Sequence, residues 1–552
     1  LKFFNNRFST NQFTFLIALF YVAIFNIPLF KLVRQGIAQQ GDVNYLFVAS
    51  LPFFLLFSLS IIFSLFSIKW ILKPFFMVLT LLSSTLFFAA LEYGVVFDYG
   101  MIENTLQTNS SEAFTYLNLD SVVAVIVTGL LPALLIYRMN ITHKPFFNEL
   151  LYKLAFILVM ALGIGLIGML YYQHYVTFGR NNDKIKRYIV PIYAVGSLAK
   201  YINSNYLQTP LVYKRQGIDA KNISAGTNQK PNLLVLVVGE TARSMNYAYY
   251  GYHRATNAHT QPFDIIAFQD MVSCGTATAV SLPCMFSSMD RQSYKAREAQ
   301  AQDTVLDVLS YAGIKVNWLD NDSGCKGVCD RVEYLKVDMS ADNPFCDGHY
   351  CYDEVLLAEL DKHLGLPVSQ DSLIVLHIMG SHGPTYYLRY PDAHRTFIPD
   401  CQRSDIQNCS DAELINTYDN TILYSDYILA QVIERLKETQ HKVDSALLYV
   451  SDHGESLGER GLYLHGTPYA FAPKEQISVP LLAWFSADFA ADNQLNIDCL
   501  TQFATQGGFS HDNLFSSLLG LMNVTTSLYL PALDLFSSCR VDIDKNSLSA
   551  TN

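Results

Sequence analysis

The hydrophobic pattern changes near residue 180. Before it, long apolar blocks recur with short polar breaks; after Lys230, apolar runs of five to seven residues alternate with polar and helical stretches. Five early blocks approach the roughly 20 apolar residues a helix needs to cross a bilayer core. They are Phe13–Val33, Tyr45–Phe66, Ile71–Leu91, Val122–Tyr137 and Leu154–Tyr172, the fourth being the shortest. The first is long, lacks a small-residue cleavage site and is followed by further spans, so it reads as a retained helix, not a signal peptide. Basic residues set the orientation. Lys2 and Arg7, Lys69 and Lys73, and Arg138, Lys144 and Lys153 mark three cytoplasmic regions, whereas Glu92 to Asp120 holds no Lys or Arg. Lys31 and Arg34 dissent. An odd number of spans then places everything after Tyr172 outside the cytoplasm.

The pattern divides the chain into a helical membrane domain over 1–174, a bridge of short helices over 175–230, and a globular domain over 231–545. The boundary falls in AGTNQKPN, Ala225 to Asn232. In the globular part, Leu233–Val238, Ile314–Leu319, Leu373–Met379 and Ala446–Val450 read as buried strands of a parallel sheet. Helical patterns at Thr304–Tyr311 and Glu413–Glu438 lie between them, and such alternation predicts an α/β sandwich. Ligands of such sheets bind beyond the carboxyl ends of the strands. There the runs end in Glu240, in Asp320, Asn321 and Asp322, in His382, and in Asp452 and His453.

Composition sharpens this picture. Only 16% of residues are charged, against about 25% in a typical soluble chain, and the net charge is -11. An acidic chain without a basic stripe argues against nucleic-acid binding. All ten cysteines lie between Cys274 and Cys539. An even count confined to one half fits disulfides in an oxidising compartment, which agrees with the orientation. Connectivity is not fixed by sequence. Neighbour pairing is the simplest choice: Cys274 with Cys284, Cys325 with Cys329, Cys346 with Cys351, and Cys401 with Cys409, leaving Cys499 and Cys539 over.

Carboxylates and imidazole at one sheet edge suit zinc or manganese. Such a cation lowers the pKa of a coordinated hydroxyl and makes it a nucleophile. SCGTATAVSLPC, Ser273 to Cys284, offers three hydroxyls, Thr276, Thr278 and Ser281. Thr278 stands where a helix can begin, a position that also favours phosphate oxygens.

GETARSMNY, SCGTATAVSLPCMFS, GSHGPTYY and SDHGESLGERGLYLHG resemble motifs of the phosphoethanolamine–lipid A transferases, which include the mobile colistin-resistance enzymes. The resemblance runs along essentially the whole chain. It implies five transmembrane spans plus a C-terminal α/β sandwich of alkaline phosphatase/sulfatase type. It implies zinc at one tight site, with a second left open, held by Glu240, Thr278, Asp452 and His453, with Thr278 the nucleophile. His382 and His465 would bind the phosphoryl group, the leaving group or a second zinc. Ser323 and Lys326 in NDSGCKG would bind ethanolamine phosphate. Asn104, Thr108 and Glu112 stand four apart and share one face of a helix; Glu112 would pair with the ethanolamine ammonium. The implied reaction is a ping-pong transfer from phosphatidylethanolamine to a lipid A phosphate through phospho-threonine. The implied setting is a Gram-negative inner membrane with the catalytic domain in the periplasm, a monomer, and polymyxin or colistin resistance as the outcome. SHDN, Ser510–Asn513, reads as a capped helix start.

Overall fold

The computed structural model describes residues 7–38, 44–92, 96–99, 101–102, 119–207, 209, 211–223, 230–340, 342–348, 350–403 and 406–541. Asn104, Thr108 and Glu112 lie outside them. The chain forms two compact units, Leu1–Pro210 and Leu211–Asn552.

In the first unit, four described helices are long and apolar enough to cross a membrane: Tyr45–Phe66, Leu72–Glu92, Leu119–Arg138 and Phe146–Arg180. A pair bent by 57°, Thr10–Phe25 and Ile27–Ile37, makes a fifth if counted as one span. The apolar pattern predicts one continuous helix there, and the structure breaks it at Asn26. Asn26 is fully buried. Its Nδ2 donates to the carbonyls of Tyr21 and Val190, both at 3.0 Å, and its Oδ1 accepts from Val190 N–H at 3.1 Å. Pro28 has no N–H to continue the helix ladder. The bend is therefore set by a partner 164 residues away.

The second unit is built on a seven-stranded sheet. Its strands are β1 Asn232–Gly239, β2 Ile266–Ala267, β3 Lys315–Asp320, β4 Glu333–Lys336, β5 Ser372–His377, β6 Asp444–Ser451 and β7 Leu481–Phe485. Their order across the sheet is β2-β7-β6-β1-β5-β3-β4. The five strands from β6 to β4 are parallel; at one edge β7 runs antiparallel to β6, and β2 antiparallel to β7. Every residue of β1 is buried. Leu234, Leu236 and Val238 join the core on one face, with Leu306 and Leu309 of helix α1, Val305–Tyr311. Leu233, Val235 and Val237 join the other, with Tyr418, Ile422 and Ile433 of helix α2, Asp411–Glu438. Period-two alternation with both faces apolar is what a central parallel strand requires. Ser410 and Glu413 close a capping box that starts α2.

The ten cysteines form five disulfides. Four join near neighbours: Cys274 with Cys284, Cys325 with Cys329, Cys346 with Cys351, and Cys401 with Cys409. Cys346 and Cys351 also face each other across an isolated antiparallel bridge, so the turn between them brings both sulfurs together. Cys409 immediately precedes the α2 cap at Ser410, and its bond to Cys401 closes the loop that leads into that helix. The two cysteines that neighbour pairing leaves over, Cys499 and Cys539, join each other across 40 residues. Loop-closure entropy makes this longest loop the most stabilising, about 4 kcal/mol against about 2 kcal/mol for the Cys325–Cys329 loop. Replacing Cys499 and Cys539 with alanine is therefore expected to lower the denaturation midpoint of this unit more than replacing Cys325 and Cys329. Urea titration followed by near-UV circular dichroism checks the order.

Candidate active site

Sheet register assembles the site. Gly239 of β1 pairs with Ser451 of β6, so the next residues, Glu240 and Asp452, emerge side by side. Gly380, with φ +51°, crosses against Glu240 so closely that a Cβ would meet the Glu240 carbonyl oxygen at 2.9 Å. That left-handed turn carries Ser381 and His382 past the end of β5. The third contribution is an eight-residue helix, Thr278–Met285, with Thr278 as its first residue. Gly275 lets its loop fold back: a Cβ there would lie 2.9 Å from Ser281 N. The Cys274–Cys284 disulfide spans this turn.

These elements bring Glu240, Thr278, Asp452 and His453 together. Thr278 Oγ1 donates to Glu240 Oε2 at 2.9 Å and lies 3.4 Å from His453 Nε2. His453 Nε2 is 3.6 Å from Glu240 Oε1 and 3.5 Å from Asp452 Oδ2. Glu240, Asp452 and His453 are fully buried, and their ligand atoms lie within 4.8 Å of one another.

The other two candidate hydroxyls have different duties. Thr276 Oγ1 donates to the Thr467 carbonyl at 2.7 Å. Ser281 Oγ donates to the Asp452 carbonyl. Of the three, it is Thr278 that hydrogen-bonds to a carboxylate of the cluster.

The cluster fits a divalent cation. Asp452 Oδ1 accepts from the N–H groups of His453 (2.7 Å) and Thr241 (3.3 Å), while Asp452 Oδ2 and Glu240 Oε1 are buried without a partner. His453 Nδ1 lies 2.9 Å from the Gly454 carbonyl, so Nδ1 carries the proton and Nε2 presents its lone pair to the cluster. A backbone acceptor fixing the far nitrogen is the usual arrangement behind a metal-binding imidazole. Burial first, then the charges of Asp452 and Asp322, push the Glu240 carboxyl well above its usual range. Burial holds the His453 pKa down. Crowded buried carboxylates of this kind are stabilised by a positive charge among them.

His382 and His465 stand beside the cluster. The His465 ring is 4.5 Å from that of His453 and 6.2 Å from that of His382, centroid to centroid. Glu455 Oε2 lies 2.9 Å from His465 Nδ1, a support that the sequence motif contained but did not distinguish from a loop acid. Burial pushes the His382 pKa down to about 4. Arg389 Nε donates to the His382 carbonyl at 2.8 Å and holds the turn.

On the far side, Lys326 Nζ donates to Ser323 Oγ and to the Ser323 carbonyl, both at 2.7 Å. Ser323 Oγ donates to Asp322 Oδ2 at 2.9 Å, which joins this loop to the acidic cluster. The Cys325–Cys329 disulfide pins the loop. Burial would raise the Asp322 carboxyl, but His377, His382 and the Ser323 bonds outweigh it and hold it low.

Two supporting groups escaped the sequence pattern. His377 ends β5, pairs in register with Asp320 of β3, and is fully buried. Burial would lower its pKa, but the bond to Asp320 and the charges of Asp322 and Asp320 outweigh that and raise it. The signal was a histidine inside an apolar strand, which costs free energy unless paired. His511 lies in the turn Ser510–Asn513, where Ser510 and Asn513 form the capping box. Its Nδ1 accepts from Cys274 N–H at 3.1 Å and its Nε2 faces the Ser451 carbonyl at 3.0 Å, so it ties the Thr278 loop to β6.

His511 carries a pH prediction. Burial pushes its pKa down to about 4. In the unfolded chain it titrates near ~6.5, so below that pH the unfolded state binds the proton first. Its contribution is complete above about 6.5 and is lost as pH falls through about 4. Between pH 7 and 4.5 it is expected to remove on the order of 2–3 kcal/mol. His511→Asn should flatten the fall in unfolding free energy over that range by about this amount.

A seven-stranded α/β sandwich with carboxylates, imidazoles and a helix-start hydroxyl at its strand ends defines a hydrolase-like group-transfer enzyme of the sulfatase class. The sulfatase family profile matches residues 232–524, and the profile of phosphoethanolamine transferase EptA/EptB matches residues 55–206. The phosphoethanolamine transferase EptA of Escherichia coli (strain K12) is 41% identical over 502 residues, spanning 90% of this chain and 91% of that protein. The phosphatidylethanolamine transferase Mcr-1 of Escherichia coli is 35% identical over 469 residues, 83% of this chain and 85% of its own length. The solved integral membrane lipooligosaccharide phosphoethanolamine transferase A (EptA) from Neisseria meningitidis superposes with a TM-score of 0.64. It is 34% identical and covers 97% of this chain and 99% of its own. The chain belongs to the EptA family of phosphoethanolamine transferases: a multi-pass membrane enzyme with a periplasmic catalytic domain.

Proposed function

We propose that the chain moves phosphoethanolamine from phosphatidylethanolamine to a phosphate of lipid A, with Thr278 as the covalent carrier. In this reading, residues 1–174 anchor the enzyme in the inner membrane, 175–230 form the bridge, and 231–545 form the catalytic domain. The observation that carries it is the Thr278 hydroxyl bound to Glu240 within the buried cluster of Glu240, Asp452 and His453.

Glu240, Asp452, His453 and the Thr278 oxygen would hold a zinc ion. Bound there, a divalent cation makes the hydroxyl acidic and offsets charge on the phosphoryl oxygens. The side chains account for the rest. Thr278 Oγ1 attacks phosphorus, and its proton passes to Glu240 Oε2, the acceptor already in place. The bond from phosphorus to the diacylglycerol oxygen breaks, and His465, oriented by Glu455, supplies the proton that oxygen takes. A lipid A phosphate oxygen then attacks the phosphorus on Thr278 and gives up its proton to His465, which restores that acid for the next turnover. The threonine oxygen leaves and recovers its proton from Glu240. His382, neutral at periplasmic pH because burial depresses it, can hydrogen-bond a phosphoryl oxygen or accept a proton. Ser323 and Lys326 bind the ethanolamine phosphate, and Asn104, Thr108 and Glu112 are assigned to the donor's polar head.

The product carries an added ammonium, which reduces the negative charge of lipid A and weakens attraction of cationic peptides such as polymyxin and colistin. Mass spectra of lipid A from an expressing strain test the acceptor. A phosphoethanolamine adduct on lipid A is expected; an adduct only on a core sugar, a glucan or a protein would redirect the assignment.

A further inference from the structure

Asp320, Asp322 and His377 gather at the carboxyl ends of β3 and β5, next to Glu240. His377 Nδ1 is 2.6 Å from Asp320 Oδ1, and Asp320 Oδ2 accepts the Tyr334 hydroxyl at 3.0 Å. Asp320 is thus occupied on both oxygens and holds the His377 proton at Nδ1. The other nitrogen, Nε2, is fully buried and has no hydrogen-bond partner; Asp322 Oδ2 stands 3.8 Å from it, beyond hydrogen-bond reach. Glu240 Oε1 is also buried without one. Donor atoms of Glu240, Asp322 and His377 lie within 4.8 Å of one another. A neutral His377 ring, with its proton on Nδ1, turns its Nε2 lone pair toward the two carboxylates.

We propose that Glu240, Asp322 and His377 form a second divalent-cation site, with Asp320 as the carboxylate that orients the histidine ligand. Carboxylate–histidine–cation order is the common way to fix the tautomer of a metal-binding imidazole. One imidazole with two carboxylates selects an ion of the zinc or manganese type. Glu240 belongs to both clusters, so its carboxylate would be shared when both sites are filled. Through Asp322 the second cation would fix the loop that carries Ser323 and Lys326.

The site shares Glu240 with the cluster of the proposed function but takes its other ligands elsewhere, so the two readings fail separately. The test is binding of Zn2+ to the full-length chain in detergent, stripped with chelator and titrated by calorimetry. His377→Gln is expected to bind one tight equivalent fewer than wild type. Asp320→Asn should keep the count and weaken that equivalent about 10–100-fold. If His377→Gln fails to fold, Asp322→Ala reads the same equivalent, with an unchanged melting curve as the folding control. Wild-type stoichiometry and affinity in these folded variants overturn the proposal, leaving His377 as a protonated partner of Asp320. A count unchanged only in His453→Gln overturns the other cluster and leaves this one standing.

Discussion

Thr278→Ala is expected to abolish transfer, with a loss of at least about 10⁴-fold in turnover, the scale seen when a covalent nucleophile is removed. The half-buried hydroxyl is the only one of the three in its loop bonded to Glu240. Alanine keeps the helix start, since the N-cap residue is Ala277 and Thr278 makes no cap bond. The loss should therefore appear in turnover with the fold intact. Thr278→Ser should retain part of the rate. Thr276→Ala should be milder, because Thr276 ties its loop to the Thr467 carbonyl and does not touch the cluster. Ser281→Ala should fall between them, acting through the Asp452 backbone. Product formation from labelled phosphatidylethanolamine, with circular dichroism as the folding control, ranks the three; equal losses would leave the nucleophile unassigned.

The second large effect is loss of the cation ligands. His453→Gln is expected to lower transfer by on the order of 10²–10³-fold or more, as loss of a preorganised charge-stabilising group does. Its Nδ1 proton is held by the Gly454 carbonyl, so only Nε2 faces Glu240 and Asp452, and a glutamine amide cannot reproduce that lone pair. Asp452→Asn is expected to act in the same direction, since Asp452 Oδ2 is buried without a hydrogen-bond partner. Chelator treatment of the wild type should reproduce both losses, and added Zn2+ should restore only the wild type. Steady-state assays before and after chelation check this; restoration of all three by zinc would remove His453 and Asp452 from the ligand set.

Local pattern was enough for the parts whose physics is local. Four of the five parallel strands were legible because they carry buried apolar runs, whereas the exposed β4, Glu333–Lys336, carries none; the spans were legible because their length matches a bilayer. The near-neighbour disulfides, such as Cys346 with Cys351 and Cys401 with Cys409, were legible from spacing. The remaining parts depend on distant partners. Asn26 breaks the first apolar block because it bonds to Val190, and no window of local hydropathy contains that bond. Cys499 and Cys539 were left over because 40 residues separate them. Asp320 and His377 meet only through the register of β3 and β5, which a strand pattern alone does not specify. Glu240, Thr278, Asp452 and His453 were picked out as a set by motif resemblance; periodicity placed three of them at strand ends and left three hydroxyls open. Glu455 stood inside a quoted motif, but its bond to His465 needed coordinates.

The central claim is that Thr278 carries the phosphoethanolamine group between donor and acceptor. Supplying the full-length enzyme with phosphatidylethanolamine alone, quenching in acid and mapping peptides by mass spectrometry tests it directly. The account predicts the adduct on the peptide beginning near Ser273, with fragmentation placing it on Thr278. An adduct on Thr276 or Ser281, or steady transfer with no adduct at any time point, would contradict it.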